Sequence, residues 1–266
     1  MLIKIVVLYL ISTLASSKAT ASENAINFLM YKKDTLTLIE NPLLDLPNDS
    51  LRTKLENLTK HCNTIECDKR YQIEWSIIEN QLYLTGIYDC CNDLHRHSLL
   101  KQLFGERVKD GRIKADWAEG KYNARDKFMF SIYDHMVFKR EITFEFKEGF
   151  VVDTKIEDNS KARASEYSRS PGKLPEFITQ NIRWNNLPDT TGKHVRVFVS
   201  FSANEKGEID SVQILKGSSE VYNLEAIRVI KSIPNWHILY QHGKFKRVIW
   251  NLPISFNPTF IQKNDR

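Results

Sequence analysis

At 266 residues the chain can hold one large or two ordinary domains, and an apolar share of 42% supports a packed core and excludes wholesale disorder. Its 38 basic and 33 acidic residues leave a net charge of only +5 and are interleaved along the sequence. That balance describes a mixed, solvated surface, and no nucleic-acid partner is expected.

The first residues carry an export signal. Lys4 belongs to a short basic start, Ile5 to Ile11 form an apolar centre, and Ala19-Thr20-Ala21 fits a small-x-small cleavage site. Residues 1–21 therefore read as a signal peptide with Ser22 as the mature start. The apolar centre is shorter than the roughly 18–20 residues that span a bilayer. No cysteine follows it to carry a lipid, and no later stretch is apolar enough to cross a membrane. The expected location is the periplasm, with inner-membrane association if the segment is not cleaved.

Residues 22–156 read as an α+β domain of unknown role with a substantial antiparallel sheet. From Ser22 to about Asp45 the signals are mixed. Asn48-Asp49-Ser50 caps an amphipathic helix bearing Leu51, Leu55 and Leu58. Tyr71 to Ile78 and Gln81 to Tyr88 flank Glu79-Asn80 as a hairpin. A helix through Leu99, Leu100 and Leu103 ends at Gly105. Asp110-Gly111 marks a turn before the alternating Ile113, Ala115 and Trp117. Phe128 to Phe146 is rich in aromatic and β-branched residues, and Glu148-Gly149 turns the chain into Phe150-Val151-Val152.

Glu157 to Lys173 has no apolar period and is rich in Ser, Pro, Gly and charge, the composition of a linker. Residues 174–258 then form a second unit, with a tail at 259–266. A helix opens with Pro175 and Glu176 in its first turn. Val195, Val197, Val199 and Phe201 alternate with polar residues as a strand, Asn204 to Gly207 turns, and Ile209 to Lys216 returns. Ser218 or Ser219 caps a helix carrying Leu224, Ile227, Ile230 and Ile233, which stops before Pro234. In the last strand Val248, Trp250, Leu252, Ile254 and Phe256 face one way, and Ile249, Asn251, Pro253 and Ser255 the other. Pro253 gives the ladder no N–H, which places this strand at a sheet edge. Such an edge is either protected or a docking rail for an extended peptide. Lys244, Lys246 and Arg247 lead into it, as edge-protecting charge or as partner contacts.

Cys62, Cys67, Cys90 and Cys91 lie near His61, His95 and His97. Thiolate and imidazole together suit zinc, but the spacing is wide and adjacent cysteines rarely share one metal. In an exported protein four cysteines read first as two disulfides, with three possible pairings. Links from Cys62 and Cys67 to Cys90 and Cys91 fit better than a strained Cys90–Cys91 bond, and Cys62–Cys67 stays possible. No nucleophile elbow, HExxH, phosphate loop or dinucleotide fingerprint is present, so neither an enzyme nor a cofactor or metal is expected. Asp116, Asp126 and His135 are the only residues that motivate catalysis.

The segments LPEFITQNIRW, VRVFVSFSANEKGEIDSVQILKGSS, NLEAIRVIKSIPNW and GKFKRVIWNLPISF, in this order, resemble the TonB C-terminal domain in the form common to Bacteroidetes-type energy transducers. The resemblance implies two helices and a three-stranded antiparallel sheet, with the Val195–Phe201 strand central and the last strand outermost. It also implies that the outermost strand takes up the TonB box of an outer-membrane TonB-dependent transporter, and that the ExbB–ExbD motor supplies force. The partner-binding residues would be Lys246, Arg247, Val248, Ile249, Asn251, Pro253 and Ser255. LTGIYDC and GRIKADWAEGK look similar to N-terminal domains attached to such proteins. Two family features are not matched: Trp184-Asn185 replaces a tyrosine-proline pair, and the segment before the domain is short. The alternative is a non-transducing envelope protein that docks or homodimerises through the same edge, with an unknown ligand on residues 22–156.

Overall fold

Strands dominate the computed structural model of this chain, which describes residues 25–46, 49–59, 71–90, 97–132, 135–170, 172–188 and 194–257. The fold is mixed α+β with a large, mainly antiparallel sheet. The segment with mixed sequence signals forms β1 (Ala25–Tyr31) and β2 (Asp34–Leu38). After them come α1 (Asp49–Leu58), β3 (Tyr71–Ile78), β4 (Gln81–Asp89), α2 (Leu100–Phe104), β5 (Ile113–Lys114), β6 (Gly120–Ile132), β7 (His135–Lys147) and β8 (Phe150–Asp158).

These strands are ordered β3-β1-β2-β6-β7-β8-β4-β5, and β3 also pairs with β4. The sheet therefore closes into a ring of seven strands, with β5 attached to β4. β1 runs parallel to β3, while every other pairing in the ring is antiparallel. One face of the alternation fills the interior with Leu29, Leu36, Ile73, Trp75, Leu84 and Phe144. At the turns, Glu79-Asn80, Asp110-Gly111 and Glu148-Gly149 all have positive φ at both residues. That is the geometry of the tight hairpin turn whose twist suits antiparallel strands. At Gly149 a Cβ would also meet the Ala115 carbonyl oxygen at 2.3 Å.

β6 and β7 are thirteen residues each, and their register shifts between Phe128 and Phe130. Their far end carries Ile132 and Val137 out of the ring to pack with Ala162 and Leu239.

Residues 157–170 are docked rather than loose, contrary to the linker composition of 157–173. β8 continues to Asp158, and Asn159, Ala162, Ala164, Ser165 and Tyr167 are buried. Arg163 exchanges both backbone hydrogen bonds with Ile238, at 2.8 and 2.9 Å. Small residues and backbone pairing hold the segment, which is why no apolar period marks it. Ser165 caps α3 (Glu166–Arg169), and α4 (Lys173–Asn181) follows with Pro175 in its first turn.

β9 (Val195–Ala203), β10 (Ile209–Lys216), α5 (Glu220–Lys231), the short pair β11 (Tyr240–Gln241) and β12 (Lys244–Phe245), and β13 (Trp250–Phe256) complete the described chain. The second sheet is ordered β10-β9-β13 and antiparallel throughout. Its inner face buries Val197, Val199, Phe201, Ile254 and Phe256 against Tyr222, Ala226, Val229 and Ile230 of α5. Of the residues expected to face inward, Ile230 and Ile233 are buried and Ile227 is half-buried, and Leu224 alone departs. Leu224 is 60% exposed, because Tyr222 turns inward to meet the Phe256 ring at 5.0 Å and donates from its hydroxyl to the Pro188 carbonyl at 2.8 Å. Glu225, also buried on α5, accepts the Arg183 N–H at 2.7 Å and pairs with Arg228, which reaches the Asn181 carbonyl. This brace ties α5 to the end of α4, and the Arg228 guanidinium holds the Glu225 carboxyl below its usual range.

Candidate functional site

β13 is the outermost strand of its sheet, and β9 is its only strand partner among the described residues. Pro253 lies opposite Phe198 in the ladder. A proline fits an edge strand where its nitrogen faces away from the neighbour. Backbone groups on alternate residues turn to alternate sides, so Asn251 and Ser255 direct their N–H and C=O groups to the open side with Pro253. The side chains of all three are exposed on the outer face of the sheet.

The residues just before this rail are placed differently from expectation. The strand begins at Trp250, so Lys246, Arg247, Val248 and Ile249 precede it. Lys246 donates from its backbone to Leu239 and from Nζ to Gln241. Arg247 forms a two-pronged ion pair with Asp210, at 2.6 and 2.8 Å, and donates to the Ser202 hydroxyl. That pair holds the Asp210 carboxyl below its usual range. Arg247 thus crosses the sheet to brace the start of β10. Val248 packs with Ile132, Val137 and Leu239, whereas Ile249 is 70% exposed. Asn251, Pro253 and Ser255 are brought together on the rail, and the basic pair is tied to other residues.

Beside the inner face of β13 lies a cavity of about 460 Å³ that the sequence did not announce. Trp250 and Leu252 form one wall, Trp236 and His237 another, Tyr167 and Leu174 a third, and the tip of β6 closes it at Ile132. The volume is in the range of sites that hold small ligands or large side chains. Its aromatic wall is fixed locally: Trp236 stands 5.9 Å from Trp250 and 5.0 Å from Phe201, ring to ring. The Trp236 backbone N–H donates to the Gly207 carbonyl at 2.8 Å. Gly207 sits at φ 80, and a Cβ there would come within 2.8 Å of the Trp236 carbonyl oxygen. The turn read from Asn204 to Gly207 therefore also seats the cavity tryptophan. His237 is buried, and its Nδ1 accepts the Ser165 N–H at 3.0 Å. Burial lowers its pKa to about 4, so the ring is neutral at ordinary pH.

Two tryptophans and a histidine within fifteen residues, Trp236, His237 and Trp250, were the available sequence signal. Tyr167 and Ile132, from distant segments, carried none.

Cys90 is disulfide-bonded, and no described cysteine is free. Cys62, Cys67 and Cys91 lie outside the described residues, as do residues 1–24 and the 259–266 tail. No described helix is long and apolar enough to cross a membrane. Of the residues that motivated catalysis, Asp126 is buried and paired with Arg140, which also holds Asp34. Asp116 is exposed near the start of β6, and His135 lines a smaller hollow with Arg125 and Glu141. No family model matches the chain, and no curated protein or solved structure matches it either.

Proposed function

We propose that this is a periplasmic TonB-like protein that binds outer-membrane TonB-dependent transporters by β-strand addition, in support of energised transport across the outer membrane. In this reading an N-terminal α+β domain spans residues 22–156, and a TonB-like domain with two helices and three strands spans 174–258. One observation carries the proposal: β13 ends the β10-β9-β13 sheet, and its open side includes Pro253. An added strand would gain main-chain bonds from Asn251 and Ser255. Its inward side chains would lie beside Trp250 and Leu252, at the mouth of the aromatic cavity, so apolar anchors two residues apart with a polar residue between them are the expected peptide pattern.

A second reading is favoured by the docked 157–170 segment. With Arg163 paired to Ile238, the described residues 157–170 form no free spacer between the ring and the docking sheet. A non-transducing envelope docking protein needs no such spacer, and this reading dispenses with the ExbB–ExbD motor.

Titration of the mature chain with TonB-box peptides from the host's own transporters tests the shared step. Asn251→Pro should weaken binding about 5-fold, since one main-chain bond is worth on the order of 1 kcal/mol, while far-UV circular dichroism stays unchanged. A photocrosslinker at Ser255 should capture a transporter. Capture of a second copy of this chain would instead support homodimerisation through the edge, and no peptide binding would refute strand addition.

A further inference from the structure

Glu141 on β7 and Glu157 on β8 are direct partners in the antiparallel ladder. Like charges placed opposite one another destabilise a strand pair, and here both carboxylates are largely shielded, at 16% and 13% side-chain exposure. The turn between β11 and β12 brings His242 over them. Its Nδ1 lies 3.2 Å from Glu141 Oε2 and 3.4 Å from Glu157 Oε2, and all three groups offer ligand atoms within 4.8 Å of one another.

We propose that Glu141, Glu157 and His242 form a binding site for a divalent first-row metal ion, with zinc as the natural probe. Bonds of about 2.0–2.2 Å arranged tetrahedrally require ligand atoms roughly 3.3–3.6 Å apart, and the two imidazole–carboxylate separations meet or nearly meet that edge length without rearrangement. Two carboxylates and one imidazole give a neutral site for a doubly charged ion and leave a fourth position for water.

The surroundings orient the ligands through hydrogen bonds of the kind that hold ligands in metal sites. Asn159 Nδ2 and the His242 backbone N–H both donate to Glu141 Oε2, at 3.3 and 2.6 Å. Asn159 Oδ1 accepts the Gly243 N–H at 2.9 Å, so one side chain fixes both the carboxylate and the turn that carries the histidine. Lys155 holds Glu157 through Oε1 at 2.7 Å, which leaves Oε2 directed toward the imidazole.

An ion here would fasten the β11–β12 turn to β7 and β8. Lys246, directly after β12, bonds to Leu239, and β13 begins four residues later at Trp250. The ion would therefore anchor the chain that leads into the edge strand. The inference does not depend on what that strand binds.

The test is a zinc titration of the full mature chain after chelation, read by native mass spectrometry and a competing dye. Because other histidines of the chain can also take zinc, the informative quantity is the difference between variants. His242→Ala, at a side chain 62% exposed, should lose one equivalent of zinc. Glu157→Gln should weaken the same equivalent at least 10-fold, and zinc should raise the melting temperature of the parent chain more than that of either variant. If parent and variants bind the same equivalents with the same affinity, the proposal is overturned. It is also overturned if His242→Ala destabilises the protein equally with and without zinc, since the trio would then be an imidazolium held between two carboxylates.

Discussion

The ring sheet and the three-stranded sheet handle their strand edges in opposite ways. In the ring, β3 pairs with both β1 and β4, so its strands face neighbours on both sides, with only β5 added outside. In the smaller sheet β10 and β13 each have one partner among the described residues. A closed sheet hides its main-chain donors and acceptors and depends on side-chain packing inside. An open sheet keeps a row of them available, and packing beside that row need not be complete. The 460 Å³ cavity at Trp250 and Leu252 is where packing is incomplete.

Paired truncations test this contrast most strongly. Phe144 is fully buried in the ring, with the Tyr31 ring 4.9 Å away. Phe144→Ala should cost about 4 kcal/mol in chemical unfolding, from lost burial plus the void left behind. Leu252→Ala, at a half-buried wall of an existing cavity, should cost only about 1–2 kcal/mol. Equal losses would mean that the open sheet is packed as tightly as the ring, and the contrast would fail.

How far the sequence revealed this arrangement depends on how local each determinant is. The three hairpin turns were legible because Glu79-Asn80, Asp110-Gly111 and Glu148-Gly149 carry their own backbone preference. The edge position of β13 followed from Pro253 alone. Ring closure was not legible, because it rests on β1 pairing in parallel with β3 across intervening chain, and no residue pattern specifies that partner. The docked 159–170 segment was missed because Ala162, Ala164 and Ser165 are small, and backbone pairing rather than an apolar stripe holds them. The Glu141–His242 contact joins residues 101 positions apart, so the metal-like cluster has no spacing signature. On α5 the period alone does not choose between Leu224 and Tyr222, and the Tyr222 contacts with Phe256 and the Pro188 carbonyl decide it.

The brace at Glu225 gives the next largest expected effect, and it probes the open sheet from its helical side. Glu225→Ala leaves the Arg183 N–H without its acceptor and Arg228 without its carboxylate partner, holding the Asn181 carbonyl alone. Breaking a shielded ion pair from one side costs about 3 kcal/mol. The double change Glu225→Leu with Arg228→Leu should recover part of that loss, because no stranded charge remains. Urea unfolding of both variants checks this. If the double variant is no better than the single one, the pair's value lies in seating Arg183 rather than in its charges.

A pH effect should distinguish the two sheets at the point where they meet. His237 has a pKa of about 4 in the folded protein, against 6.5 for an ordinary histidine, because burial disfavours the charged ring. The unfolded chain therefore takes up the proton first as pH falls. The stabilisation is complete above about pH 6.5 and is lost progressively between 6.5 and 4. At 1.36 kcal/mol per unit, the full loss is at most about 3 kcal/mol. Carboxylates titrate in the same interval, so the measurement is the difference between the parent and His237→Phe in unfolding free energy at pH 7.5, 6 and 4.5. The variant should be less stable at pH 7.5, where the Ser165 N–H loses its acceptor, and the gap should narrow toward pH 4.5. Protonation would also take Nδ1 away from Ser165, so protease cleavage within 159–170 should increase at acid pH in the parent before the ring sheet unfolds. A gap that stays constant with pH would mean that His237 is solvated when folded, and that the 159–170 segment is held by the Arg163–Ile238 pairing alone.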